Sequence, residues 1–223
     1  MSFAIPTFSY AAIIDGYFNG RVYMDESDEG VWSTSLRGKK VSGYFSYDTS
    51  LAPAANPDYP YATSYSSATN SWLNLIYYID GKKIDISSMG DKDNLNGLDG
   101  EGVGISDTDE DVFYLGDSIT SGNISTNYRE VSGGIYIGGK TNFLNTDSLL
   151  QNFIWENTGT YAATASLRDW TLRDGAFYGT YFEMYISKIN VSVRKEASVA
   201  EPSAAILFAL GLLGLIMNYR RHW

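Results

Sequence analysis

Between Arg21 and Val193 the sequence is cut into many short alternating or aromatic-rich runs separated by turn pairs. Side chains in a strand alternate between two faces, so runs of this kind each bury one face and need partners to cover it. The candidate strands are Arg21 to Met24, Val31 to Leu36, Lys40 to Tyr47, Trp72 to Ile79, Lys83 to Ile86, Val112 to Leu115, Tyr128 to Ile137, Leu149 to Trp155, Tyr161 to Leu167 and Phe177 to Val193. Ten strands suffice for two sheets, so the expected fold is all-β, an antiparallel, jelly-roll-like β-sandwich over residues 13–195. The 18 Tyr, 10 Phe and 5 Trp suit pleated surfaces, and the 22 Gly supply turns.

Two turns are specific. Asp80-Gly81 and Asp174-Gly175 each sit between runs, as the two central residues of a hairpin turn that needs positive φ at both. The last run changes parity: Phe182, Met184 and Ile186 share one face, whereas Ile189, Val191 and Val193 share the other. A β-bulge near Ser187 and Lys188 explains the change within one strand; two consecutive strands with a break are the alternative. Residues 50–71, with Pro53, Pro57 and Pro60, read as a long loop or as a tyrosine-bearing ligand rim.

Twenty-six acids against sixteen Lys and Arg give a net charge of −10, which repels nucleic acid. There is no Cys, so disulfides, thiolate metal sites and thiol nucleophiles are excluded. The single histidine, His222, lies at the end of the chain, which removes Ser-His-Asp chemistry and histidine-rich zinc sites from the domain.

From Ala204 to Met217 fourteen residues carry no polar side chain, and Arg220 and Arg221 follow. An amphipathic core helix would show polar residues every third or fourth position; this stretch is apolar on every face. Residues 204–219 therefore read as a transmembrane helix, with 220–223 as a basic cytoplasmic end and residues 1–200 on the far side of the inner membrane. Residues 196–203 form the linker.

Ala200-Glu201-Pro202-Ser203, the apolar span and Arg220-Arg221 together resemble the PEP-CTERM sorting signal of Gram-negative bacteria, with Ala200 where that family usually has its first proline. Phe18-Asn19-Gly20 and Val41-Ser42-Gly43-Tyr44-Phe45-Ser46-Tyr47-Asp48-Thr49 are similar to an opening common in PEP-CTERM β-sandwich proteins. The resemblance implies a partner, exosortase, that recognises the tail at the membrane. It also implies a non-enzymatic component of the cell envelope or extracellular matrix, associated with exopolysaccharide. Residues 1–12 lack Lys and Arg but hold the small-x-small triplet Ser9-Tyr10-Ala11. They read as a remnant signal peptide or as the first strand.

The one distinctive polar cluster runs from Asp85 to Asp117, with ten acids and a single base, Lys92. Oxygen-rich, cysteine-free loops suit calcium, and Asp91, Asp93, Asp107, Asp109 and Asp111 are the candidate ligands. The spacing fails the EF-hand pattern, with Leu95 at the fifth position of one segment and Val112 where the other needs glycine. A solvated acidic loop is the simpler reading. No catalytic spacing appears: Glu156 beside Trp155 and Asp169 beside Trp170 pair an acid with an aromatic, but strand neighbours point to opposite faces. Trp32, Trp72, Trp155 and Trp170 are expected in the core. The alternative function is a secreted carbohydrate-binding module with calcium-ordered loops, since exposed aromatic faces stack on sugar rings.

Overall fold

The structure, a computed structural model, describes residues 12–27, 34–56, 63–67, 72–86, 99–107, 111–121, 128–139, 142–146, 148–159 and 163–194. Eleven strands run through them: β1 (Ile13–Ser27), β2 (Lys40–Asp48), β3 (Thr63–Ser67), β4 (Leu73–Ile79), β5 (Lys82–Asp85), β6 (Asp99–Ser106), β7 (Asp111–Ser121), β8 (Arg129–Gly139), β9 (Phe153–Glu156), β10 (Ala163–Arg173) and β11 (Ala176–Val193). The fold is all-β and every named strand pair is antiparallel. One ladder, β3-β6-β7-β8-β10-β11-β1-β2-β4-β5, curls into a half-barrel that packs against itself like a sandwich. The sequence suggests two sheets; hydrogen bonding instead continues round the bend, because β1 and β11 are long enough to serve both layers.

The bend coincides with the parity change in β11. Asn19 pairs with Lys188 and Gly20 with Ile186, so Ser187 is the extra residue of a bulge. Ile186 and Ile189 thereby both point inward. The second edge of β11 changes partner at the same place: β10 pairs up to Tyr185 and β9 takes over from Lys188. A second irregularity lies between Val22 and Met24 of β1. Bulges raise local twist and bend a strand, which is how one sheet turns a corner.

Both hairpins form as their turn residues require, with φ of 50° and 77° at Asp80 and Gly81, and 51° and 81° at Asp174 and Gly175. The core between the layers is aromatic. Phe45 of β2 meets Phe113 of β7 at 5.9 Å between centroids, and Tyr77 of β4 meets Phe182 of β11 edge-on at 6.0 Å. Tyr77 also donates its hydroxyl to the carbonyls of Gly134 and Ser166, at 3.1 and 2.8 Å, tying β4 to β8 and β10. Burial pushes its ionisation above the ordinary tyrosine range. Trp72 and Trp155 belong to this core, whereas Trp170 is half-buried; Trp32 lies outside the described residues.

The sequence reading misplaces several segments; the candidate strand Leu149 to Trp155, for example, forms only from Phe153. Residues 50–71, expected as loop or ligand rim, contain β3, and the acidic stretch contains β6 ahead of the expected strand at Val112 to Leu115, which runs from Asp111 to Ser121 as β7. Within the candidate strand Val31 to Leu36, the described residues Thr34 to Leu36 are not strand. Leu36 is nevertheless buried, its N–H held by Asp25 at 2.7 Å. The glycine-rich, acidic composition of β6 hides its pairing because its strand character comes from neighbours, not propensity.

Candidate functional site

On the outer face of β1, β2, β4 and β11 lies an open groove of about 620 Å³. It exists because alternation turns Tyr17 and Asn19 of β1, Ser42 and Tyr44 of β2, and Tyr78 of β4 outward while Phe18, Val41 and Phe45 go to the core. Register then gathers them. Tyr17 pairs with Tyr44, and Asn19 sits between Ser42 on one side and Lys188 on the other. Tyr78 pairs with Ser42. Gly43, between Ser42 and Tyr44, has the inward parity, and the core ring of Phe18 fills the space beneath it.

Two of the tyrosines are largely open to solvent: Tyr17 is 58 % and Tyr78 45 % accessible. The Tyr17 and Tyr44 rings stand 5.0 Å apart, tilted by 49°. Around them are the neutral amides and hydroxyl of Asn19, Asn190 and Ser42. The groove thus combines aromatic faces with hydrogen-bonding groups and, among the described residues, has no nucleophile–base pair.

One end of the groove is held by an ionic corner. Arg194 forks onto Asp15 at 2.5 and 2.7 Å, and Tyr44 donates to the same carboxylate at 2.6 Å. Arg194 also reaches the Tyr44 hydroxyl at 3.1 Å. Burial disfavours the Asp15 carboxylate, but the hydrogen bonds from Arg194 and Tyr44 outweigh it and hold the group below the usual carboxylate range. Burial, followed by the bond to Asp15, raises the Tyr44 phenol. At the other side Lys188 is paired with Glu156 at 2.5 Å.

The acidic residues divide sharply. Glu101 accepts the main-chain N–H groups of Trp72 and Leu73 at 2.8 and 3.0 Å, and Asp117 accepts that of Leu75 at 3.3 Å. Asp111 accepts the N–H of Leu144 at 2.8 Å. All three carboxylates are buried, so this part of the stretch is not a solvated loop. Strand β5 covers only Ile76 to Ile79 of β4, and the carboxylates of the facing layer bind amides that β5 does not reach. Of the five calcium candidates, Asp107 is exposed at the end of β6 and Asp111 is buried at the start of β7. Asp91, Asp93 and Asp109 lie outside the described residues. Among the described residues no group of three or more Asp, Glu or His gathers to hold a metal.

The acid–aromatic neighbours separate as strand geometry requires. Trp155 is in the core and Glu156 outside it. Asp169 faces Arg129 at 3.4 Å, while Trp170 carries the Arg168 guanidinium 4.4 Å over its ring. The sorting residues Ala200, Glu201, Pro202, Ser203, Arg220 and Arg221, and the apolar span 204–219, lie outside the described residues, as do residues 1–11. Among the described residues no helix is long and apolar enough to cross a membrane.

The groove tyrosines were not singled out by sequence, although a signal exists. Tyr17 and Tyr44 each alternate with phenylalanines of the core, so parity within β1 and β2 marks them as outward. Comparison of the chain with family models, with curated proteins and with solved structures found no match.

Proposed function

We propose that this chain is an exported, non-enzymatic protein of the cell envelope or extracellular matrix whose β domain binds glycan in the tyrosine groove. The observation that carries the binding reading is the cluster of Tyr17, Tyr44 and Tyr78 on one open outer face, beside neutral hydrogen-bonding side chains. Aromatic rings on an exposed strand face lose burial that a core position would provide, and sugar rings offer them an apolar face to cover. The finer fold reading, a jelly-roll-like sandwich followed by one transmembrane helix at 204–219, belongs to the same proposal. So does the route. Ala200 to Ser203 would present the chain to exosortase while the span and Arg220-Arg221 hold it in the inner membrane, and the product would reach the envelope or the extracellular space. An exopolysaccharide would then be the natural partner of the groove.

A glycan array probed with the full-length chain tests the binding reading. Specific signals that disappear in the Tyr17→Ala and Tyr78→Ala variants are expected. Signals unchanged by both substitutions would remove the groove from the account and leave only a structural role.

A further inference from the structure

The groove has a charge and a length, and both bear on what fits it. Resting on the glycan reading above, we infer that the groove takes an uncharged oligosaccharide of at least three rings, laid obliquely across β4, β2 and β1.

The charge argument starts from Lys188, among the described residues the one ionic side chain lining the groove. Its ammonium is 2.5 Å from Glu156, so the pair presents no net charge to a ligand. The neighbouring cations are similarly engaged. Arg194 is forked onto Asp15, and Lys83, on the strand beyond Tyr78, is 2.9 Å from Asp85. Arg21 and Lys40 stand one row beyond Asn19 and Ser42, outside the lining, and Arg21 donates to the carbonyl of Gly38 at 2.9 Å. The net charge of −10 adds a repulsive field for polyanions. What remains facing the ligand is aromatic rings, amides and a hydroxyl, which is the chemistry of a neutral sugar.

The length argument uses register. Tyr78 is level with Ser42 and Asn19, and Tyr17 is the next outward residue along β1. Two strand spacings across and two residues along separate Tyr78 from Tyr17 by about 12 Å. One pyranose ring cannot rest on both. A ring on Tyr78 and a ring in the tilted Tyr17–Tyr44 pair require a further ring between them, over Ser42 and Gly43.

Titration calorimetry of the full-length chain tests this with two sets of probes. The first set is neutral: β-1,3- and β-1,4-linked oligomers of glucose, galactose and N-acetylglucosamine, from two to six rings. The second is oligomers of galacturonate and mannuronate. Expected is binding of a neutral series that strengthens roughly tenfold from two rings to three, changes little with added salt, and weakens roughly tenfold in Tyr78→Ala for long chains but not for the disaccharide. A disaccharide bound as tightly as the hexamer, or binding confined to the acidic oligomers and lost in salt, overturns this inference and leaves a glycan-binding groove. Binding of neither set overturns the glycan reading itself, and this inference with it.

Discussion

The ring of Phe18 lies over Gly43 on the paired strand, in the space a β-carbon there would occupy. Two pairs along, beyond Tyr17 and Tyr44, the ring of Phe45 covers Gly16 in the same way. These reciprocal contacts clamp β1 to β2 beneath the groove, since each aromatic lies flat only because its neighbour has no side chain. Gly43→Ala is expected to destabilise the fold by about 1–3 kcal/mol through overpacking. Phe18→Leu in the same chain should recover part of that loss, giving a non-additive double-mutant cycle in urea unfolding. Strict additivity would show that the ring does not cause the effect.

Glu101 is expected to act as a strand substitute. Glu101→Ala leaves the N–H groups of Trp72 and Leu73 without their carboxylate acceptor in a buried setting, at about 3 kcal/mol. Glu101→Gln, which keeps one acceptor oxygen, should lose clearly less. Equal unfolding midpoints for the two variants would contradict the role.

Acid stability should report on the Asp15 corner. The folded-state carboxyl is held below its ordinary value, so its contribution is fully present above about pH 4, the unfolded value, and fades as pH falls through the lower folded value. The stability gap between the native chain and Asp15→Asn should be constant from about pH 5 to 8 and should narrow below about 4. Urea midpoints across that range measure it; a gap that widens in acid would reverse the assignment.

Calcium is expected to leave the domain's melting temperature unchanged, because Asp111 already serves the N–H of Leu144 in a buried position. Scanning calorimetry with millimolar calcium and with chelator checks this. A rise with calcium that chelator abolishes would restore Asp91, Asp93, Asp107, Asp109 and Asp111 as a ligand set through ordinary linkage.

Processing of the tail is read by mass spectrometry of the protein from its native host. A product ending near Glu201 is expected, with intact membrane-bound chains after deletion of residues 200–202. Proline at 202 disfavours helical geometry in its predecessor, and an extended segment is what the proposed cleavage step would need. An extracellular pool ending at Trp223 would rule processing out.

Much of this protein is written in local pattern. The turns at Asp80-Gly81 and Asp174-Gly175 need only two residues with positive φ, and the bulge at Ser187 follows from a parity change within one strand. Strands β2, β4, β8 and β11 are legible for the same reason: alternation is a property of consecutive residues. The tertiary structure decided the rest, because it depends on residues far apart in the chain. Strands β3 and β6 look like loop until the pairing of Tyr65 with Val103 and of Val103 with Leu115 supplies their ladders. Glu101, Asp111 and Asp117 read as a solvated acidic run, and only the facing layer buries them against main-chain amides. The groove likewise needs register across β11, β1, β2 and β4. Parity can turn Tyr17, Tyr44 and Tyr78 outward, but only long-range pairing sets them on one patch, since a strand's own sequence carries no information about which strand lies beside it.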